Sequence, residues 1–228
     1  MSIYYNATLL KKLQAYRLFL FDLDRTLVET DWDYLLGVIQ QTIQRCGGKF
    51  FPTREQVQDF WIGNSMPRDD FIKHVLKLKP ANFWQEHRAL DTVANRMAHT
   101  RAITGVEENM RWLVGLYKMA GVITAARPMI ARAQLRLLDF QFDNVLSVSE
   151  HPSLPCKPDP AGLYYMMLMM GCAPEETVYI GDSVDDYNFA YSAGVDFIHY
   201  QHEGLSFYYR EPPLLVFSDW RNSPFLQM

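Results

Sequence analysis

Cysteine is scarce in this chain. Its 228 residues hold three, Cys46, Cys156 and Cys172, and no CxxC pair. A disulfide framework or a cysteine zinc site needs more ligands at closer spacing, so free thiols in a reducing compartment are expected. A basic surplus is lacking too. The formal net charge is −4, which argues against nucleic acid as a partner. No apolar stretch approaches the ~20 residues of a membrane helix, so no membrane partner is expected. Met1 to Lys12 lack the basic start, apolar run and cleavage site of a signal peptide, and a soluble cytoplasmic protein is expected. There is no internal repeat and no low-complexity tract. The six histidines show no HxxxH spacing, and none is assigned to a metal or to catalysis.

What is present is the makings of a core. The hydrophobic share is 49%, the ordinary globular range. The length suits one main domain with a smaller insert. Short apolar runs recur, each ending in polar residues: Leu18 to Phe21 before Asp22, Gly121 to Ile123 before Thr124, Val145 to Val148, Val178 to Ile180 before Gly181-Asp182, Phe197-Ile198, and Leu214 to Phe217. Runs of this length, apolar on both faces, predict buried parallel strands. Between them the spacing predicts helices over Val106 to Met119, over Met129 to Leu138 after Pro128, over Ala161 to Met170 after Pro160, and over Asp185 to Ala193. Strand–helix alternation predicts an α/β fold, a doubly wound parallel, Rossmann-like sheet.

One interval breaks the rhythm. About 70 residues separate the first strand from the second, far more than a crossover needs. From Trp32 to Arg101 they read as helices, with Tyr34, Leu35, Val38, Ile39 and Ile43 on one apolar face and Phe71, Val75 and Leu78 on another. Gly47-Gly48 and Gly63-Asn64 read as turns. The expected division is a core of residues 1–30 and 103–228, with a helical insert of residues 31–102 acting as a lid.

Ligands of a doubly wound sheet bind at the carboxyl ends of its strands. Those ends carry Asp22 and Asp24, then Thr124, then Asp182 with Asp185 and Asp186. The Cys156 to Pro160 loop adds Lys157. This set suits phosphoryl transfer, where an anionic nucleophile can approach a phosphate ester only if the charge is offset. Mg²⁺ takes oxygen ligands and few carboxylates, which Asp22 and Asp182 could supply. Thr124 can donate to a phosphoryl oxygen, and Lys157 can offset the charge of nucleophile and phosphate. Asp22 can attack in a covalent two-step hydrolysis, and Asp24 can exchange protons with the leaving alcohol and then with water.

Four motifs carry a resemblance. Phe21-Asp22-Leu23-Asp24-Arg25-Thr26-Leu27, Val122-Ile123-Thr124, Lys157-Pro158-Asp159-Pro160 and Gly181-Asp182-Ser183-Val184-Asp185-Asp186 stand in one order. Together they resemble the haloacid dehalogenase-like hydrolases over roughly Arg17 to Tyr200. The resemblance implies that the Asp24 backbone carbonyl completes a Mg²⁺ shell, and that Asp186 binds the metal or orients its waters. It implies that the insert is a C1 cap that shapes specificity. Thr124-Ala125-Ala126-Arg127-Pro128 looks like a string of the phosphoglycolate phosphatase-like branch. Arg127 is a candidate substrate anchor or a solvated residue at a helix start. Arg25 departs from the glycine common at its position, and would be strained if the backbone there needs a positive φ. Ala125 stands where Asn is frequent.

Other features have plainer readings. Asp185 reads as a helix-dipole partner. Tyr164 to Met170 reads as a buried helix, since Met fills core gaps. Trp32, Trp61 and Trp84 read as packing residues of the insert, and Arg68, Lys73 and Arg96 as residues of its solvated faces. The expected activity is Mg²⁺-dependent hydrolysis of a small phosphorylated metabolite, by a monomer or a homodimer. The alternatives are a sugar phosphomutase of the same superfamily and a non-catalytic module that keeps the fold.

Overall fold

The computed structural model describes residues 5–63, 65–202 and 207–228. The chain opens with α1 (Ala7–Ala15), β1 (Leu18–Phe21) and β2 (Val28–Thr30). Helices α2 (Trp32–Arg45), α3 (Arg54–Ile62), the single turn α4 (Arg68–Asp70), a π-helical turn over Phe71–Val75, α5 (Pro80–Leu90) and α6 (Val93–Met97) follow. The chain returns through β3 (Thr100–Ala102). It then alternates: α7 (Val106–Gly115), β4 (Met119–Thr124), α8 (Pro128–Leu135), β5 (Asn144–Ser147), α9 (Ala161–Met170), β6 (Thr177–Gly181), α10 (Val184–Ala193), β7 (Asp196–Tyr200) and β8 (Leu215–Phe217). No helix among the described residues is long and apolar enough to cross a membrane.

Two compact units result. The first joins the described residues up to Glu29 with Ala102–Met228, and the second is Thr30–Arg101. The first holds a six-stranded parallel sheet in the order β5-β4-β1-β6-β7-β8, with flanking helices. Counted along the sheet strands alone this is the doubly wound 3-2-1-4-5-6 order, whose direction reverses beside β1. All six predicted strands are present. β1 lies at the centre, and Leu18, Phe19, Leu20 and Phe21 are fully buried. Each such side chain stabilises the fold by roughly 1.5–3 kcal/mol. Phe19 and Phe21 pack with Val106, Met110, Trp220 and Phe225 in the main core. The indole of Trp220 donates to the Thr26 carbonyl at 2.9 Å and so ties the C-terminal segment to the loop after β1.

Several expectations need correction. The edge strands are not buried on both faces: Val145 of β5 and Val216 of β8 are each 40% exposed, because an edge has a neighbour on one side only. The helix expected to reach Met119 stops at Gly115, and Tyr117 turns the chain at φ 58° into β4. Val114 and Tyr117, which continue the apolar spacing of that expected helix, are exposed. Helix α9 buries Gly162, Leu163, Met166 and Met167, but Tyr164, Leu168 and Met169 are exposed. It is therefore apolar all round yet only half buried.

The second unit has its own core of Ile39, Ile43, Val57, Phe60, Phe71, Ile72, Leu76 and Phe83, with Trp61 and Trp84 packed against it. A capping box between Thr53 and Gln56 starts α3, and Gly63 ends it at φ 74°. Asn64, the other half of that expected turn, lies outside the described residues. Arg96 is not on a solvated face. It is buried and makes a two-pronged ion pair with buried Asp91, at 2.8 and 2.7 Å. The Tyr34 hydroxyl donates to the same carboxylate at 2.7 Å. Such a fork satisfies both charges at once, which burial demands.

Candidate active site

The three central strands deliver the chemistry to one end of the sheet. Asp22 follows the last residue of β1, and its backbone N–H donates to Ile180 of β6 at 2.8 Å. Thr124 is the last residue of β4, and Asp182 follows the last residue of β6. Asp186 sits in the first turn of α10, and Lys157 arrives on the loop between β5 and α9, before a cis peptide bond to Pro158. Asp22, Asp182, Asp186, Thr124 and Lys157 are all buried.

Lys157 ties the cluster together. Its Nζ donates to Asp22 Oδ1 at 2.5 Å, to Asp186 Oδ1 at 2.8 Å and to the Tyr179 hydroxyl at 2.8 Å. These use all three N–H bonds of an ammonium. Burial works against this charge, but Asp186 and Asp22 outweigh it and hold the ammonium above its ordinary range. Burial pushes the Asp22 carboxyl well up; Lys157 pulls it down, while Asp186 and Asp182 add to the rise. Asp182 is raised by burial and by Asp186, against the pull of Arg25. Asp186 moves the other way: burial would raise it, but Lys157, Ser183 and Tyr179 outweigh that.

Asp186 is held by four donors. Lys157 and Tyr179 meet its Oδ1, and the Ser183 backbone and hydroxyl meet its Oδ2 at 3.2 and 2.6 Å. Gly181 is what lets it lie there. A Cβ on Gly181 would stand 2.6 Å from the Asp186 side chain. Carboxylate oxygens of Asp22, Asp182 and Asp186 come within 4.8 Å of one another. Three buried acids, when ionised, outweigh Lys157 and Arg25 and leave a net negative charge. An oxygen-only donor set with a charge deficit fits a hard divalent cation.

The remaining predicted residues stand at the strand ends, helix starts and loops beside these. Asp24 is half-buried, and its Oδ1 accepts from the Gln134 amide at 2.7 Å. The Thr124 hydroxyl oxygen accepts from the Ala126 N–H at 3.0 Å, which orients it. Arg127 is the half-buried N-cap residue of α8, three residues past Thr124. Asp185 lies in the first turn of α10, as its plainer reading has it. Arg25 does adopt a positive φ, 64°. Its side chain turns inward, and Nε donates to Asp182 Oδ2 at 2.6 Å.

Three residues of the cluster escaped the sequence reading. Ser183 had a signal, since Ser followed three residues later by an acid at a helix start is a capping pattern. Tyr179 and Gln134 had none: each reads as an ordinary core position of its element.

A doubly wound sheet with an acid pair after its first strand, and a lysine and further acids at the ends of its neighbours, defines a class of α/β hydrolases. The haloacid dehalogenase-like hydrolase model matches residues 19–200, and the chain belongs to that family. A phosphoglycolate phosphatase of Pseudomonas fluorescens is 27% identical over 91% of this chain and 78% of its own length. The pyrophosphatase PpaX of Listeria monocytogenes is 31% identical over 73% of this chain and 75% of its own. The crystal structure of a predicted phosphoglycolate phosphatase from Haemophilus somnus superposes with a TM-score of 0.70, at 22% identity over 91% of this chain and 96% of that one. At that identity the likeness is one of fold.

Proposed function

We propose that the protein is a Mg²⁺-dependent phosphatase that hydrolyses a small phosphate monoester through an aspartyl-phosphate on Asp22. The observation that carries this reading is the Lys157 bond to Asp22 Oδ1 at 2.5 Å, with Asp182 and Asp186 gathered beside it. A buried carboxylate at the end of a central strand, paired with a fully hydrogen-bonded ammonium, is a nucleophile held in one orientation. The names of the relatives, phosphoglycolate phosphatase and pyrophosphatase, favour a small phosphorylated substrate and make phosphoglycolate the first to test.

Asp22 attacks phosphorus, and the ester P–O bond breaks. Asp24 gives a proton to the departing alkoxide, then takes one from the water that attacks the acyl phosphate; inorganic phosphate leaves and Asp22 is restored. Lys157 and the Thr124 hydroxyl face the phosphoryl charge. Asp22, Asp182 and the Asp24 carbonyl would hold Mg²⁺. The four bonds to Asp186 favour its role as an orienting group over a direct ligand. The cation supplies charge neutralisation for phosphate and nucleophile alike. Arg127, at the start of α8, is the proposed anchor for a second polar group of the substrate. The Thr30–Arg101 unit is the proposed C1 cap that selects among substrates.

The test is phosphate release from a panel of small monoesters, phosphoglycolate included, with and without Mg²⁺. Metal-dependent release that Asp22→Asn abolishes is expected. Release that survives in Asp22→Asn would overturn the nucleophile assignment.

A further inference from the structure

Gln134 is an anomaly in its helix. Ile130 and Ala131 of α8 are buried, and Gln134 follows them by four and three residues on the same face. That spacing calls for an apolar side chain. Gln134 is instead a fully buried amide. Its Nε2 donates to Asp24 Oδ1 at 2.7 Å, across 110 residues of sequence. Its Oε1 is buried with no hydrogen-bond partner among the described residues. An unmatched buried acceptor is a cost that a leucine or methionine would avoid. The bond to Asp24 is what the amide gains there.

That bond has a chemical consequence. An ionised carboxylate only accepts hydrogen bonds, so the amide must present its N–H to Asp24. When Asp24 is protonated, Oδ1 accepts best from Nε2 as the carbonyl oxygen, with the proton on Oδ2. A proton on Oδ1 would leave that oxygen a weaker acceptor for the amide N–H. Both protonation states therefore fit the same amide best when Oδ2 is the oxygen that exchanges the proton.

We infer that Gln134 is the positioning residue of Asp24: its amide fixes the carboxyl orientation and reserves Oδ2 for proton transfer to the leaving alkoxide and from the attacking water. The inference rests on the assignment of Asp24 as acid and base.

The test uses leaving groups. A general acid is needed for a poor leaving group such as an alkoxide and hardly at all for p-nitrophenolate. The quantity to compare is kcat/KM, which reports the steps up to departure of the leaving group. The full-length Gln134→Met and Gln134→Leu variants are assayed with p-nitrophenyl phosphate and with the alkyl phosphate the wild type turns over best. The ratio of the two values on one sample does not depend on the fraction folded. It is expected to fall on the order of tenfold in the alkyl-to-aryl direction. Asp24→Asn should lower the same ratio further. If Asp24→Asn lowers the ratio and the Gln134 variants leave it unchanged or raise it, Gln134 does not position the acid. If Asp24→Asn itself leaves the ratio unchanged, the assignment of Asp24 fails and takes the inference with it.

Discussion

Arg25 and Asp182 form a buried ion pair, Nε to Oδ2 at 2.6 Å, from a backbone that holds Arg25 at φ 64°. A left-handed residue with a Cβ costs roughly 1–2 kcal/mol, so the position favours glycine on conformational grounds. The arginine is accommodated because its guanidinium meets an acid that burial has made hard to ionise. It also makes the charge of the cluster less negative. With all three ionised, Asp22, Asp182 and Asp186 carry −3, and Lys157 and Arg25 return +2.

Arg25→Gly should therefore bind Mg²⁺ more tightly, on the order of tenfold, equivalent to about 1.4 kcal/mol. Without metal the variant should be less stable, because Asp182 is left buried and unpaired. Titration calorimetry with Mg²⁺ reads the first effect. The thermal midpoint with and without Mg²⁺ reads the second, and the gap between the two midpoints should widen. Unchanged affinity would mean that the guanidinium does not act on the metal position.

Lys157→Met tests the node that joins three groups. The variant loses the cation that faces Asp22 and Asp186, and turnover should fall by at least about 10³-fold. Stability should fall by about 3–5 kcal/mol at neutral pH, the cost of stranding a buried charge. Asp22 already stands above its ordinary range, and without Lys157 it should rise further. A carboxyl raised in the folded state stabilises below its unfolded value and loses that contribution as pH rises through the folded value. The variant's deficit should therefore shrink as pH falls towards 4, as read by urea unfolding across that range.

The sheet was legible because its residues are constrained twice. A central strand such as Leu18 to Phe21 is apolar on both faces and ends in chemistry, so pattern and motif agree. Asp186 was legible as an acid at a helix start, but its capping partner Ser183 was passed over although the spacing was there. Arg25 was legible as a conflict, but its partner was not: Asp182 is 157 residues away, and only the β1–β6 pairing brings them together. Gln134 was illegible because a lone polar residue on an apolar stripe has no local signature. Arg96 was misread because an exposed and a buried arginine look alike until the acid that meets it is known. Tyr164, Leu168 and Met169 were misread because composition cannot say which face of an apolar helix is covered.

The Asp91–Arg96 pair sits wholly within the Thr30–Arg101 unit, and its loss should be felt there. Asp91→Ala strands a buried guanidinium and should cost about 3–5 kcal/mol. Replacing both, Asp91→Leu with Arg96→Met, should cost much less, since no charge is then left unpaired. Arg96 outweighs the burial of Asp91 and holds its carboxyl below the usual range. That contribution is present above the unfolded value near 3.9 and is lost as pH falls through the lower folded value. Hydrogen exchange in α2, α5 and α6 would report the local opening. A double variant as unstable as Asp91→Ala would show that the pair is worth more than its desolvation.

Gly181→Ala is the smallest change that should slow turnover severely. The backbone at Gly181 has no positive φ to protect, so space alone excludes a side chain there. The added methyl would stand 2.6 Å from Asp186 Cβ and Cγ and 2.8 Å from its Oδ2. Asp186 cannot give way freely, because Ser183, Tyr179 and Lys157 hold both its oxygens. Either the carboxylate leaves those donors, or β6 shifts against β1 and carries Asp182 with it. Overpacking of this kind costs typically 1–3 kcal/mol, which a folded domain survives. The activity should fall with it, since the same displacement loosens Lys157 from Asp22. The expected outcome is a folded variant with kcat reduced on the order of a hundredfold and KM changed little, because Asp186 touches the orientation of the nucleophile and not the substrate. A variant with wild-type kcat would mean that the Asp186 network is structural, and that Lys157 keeps its aim without it.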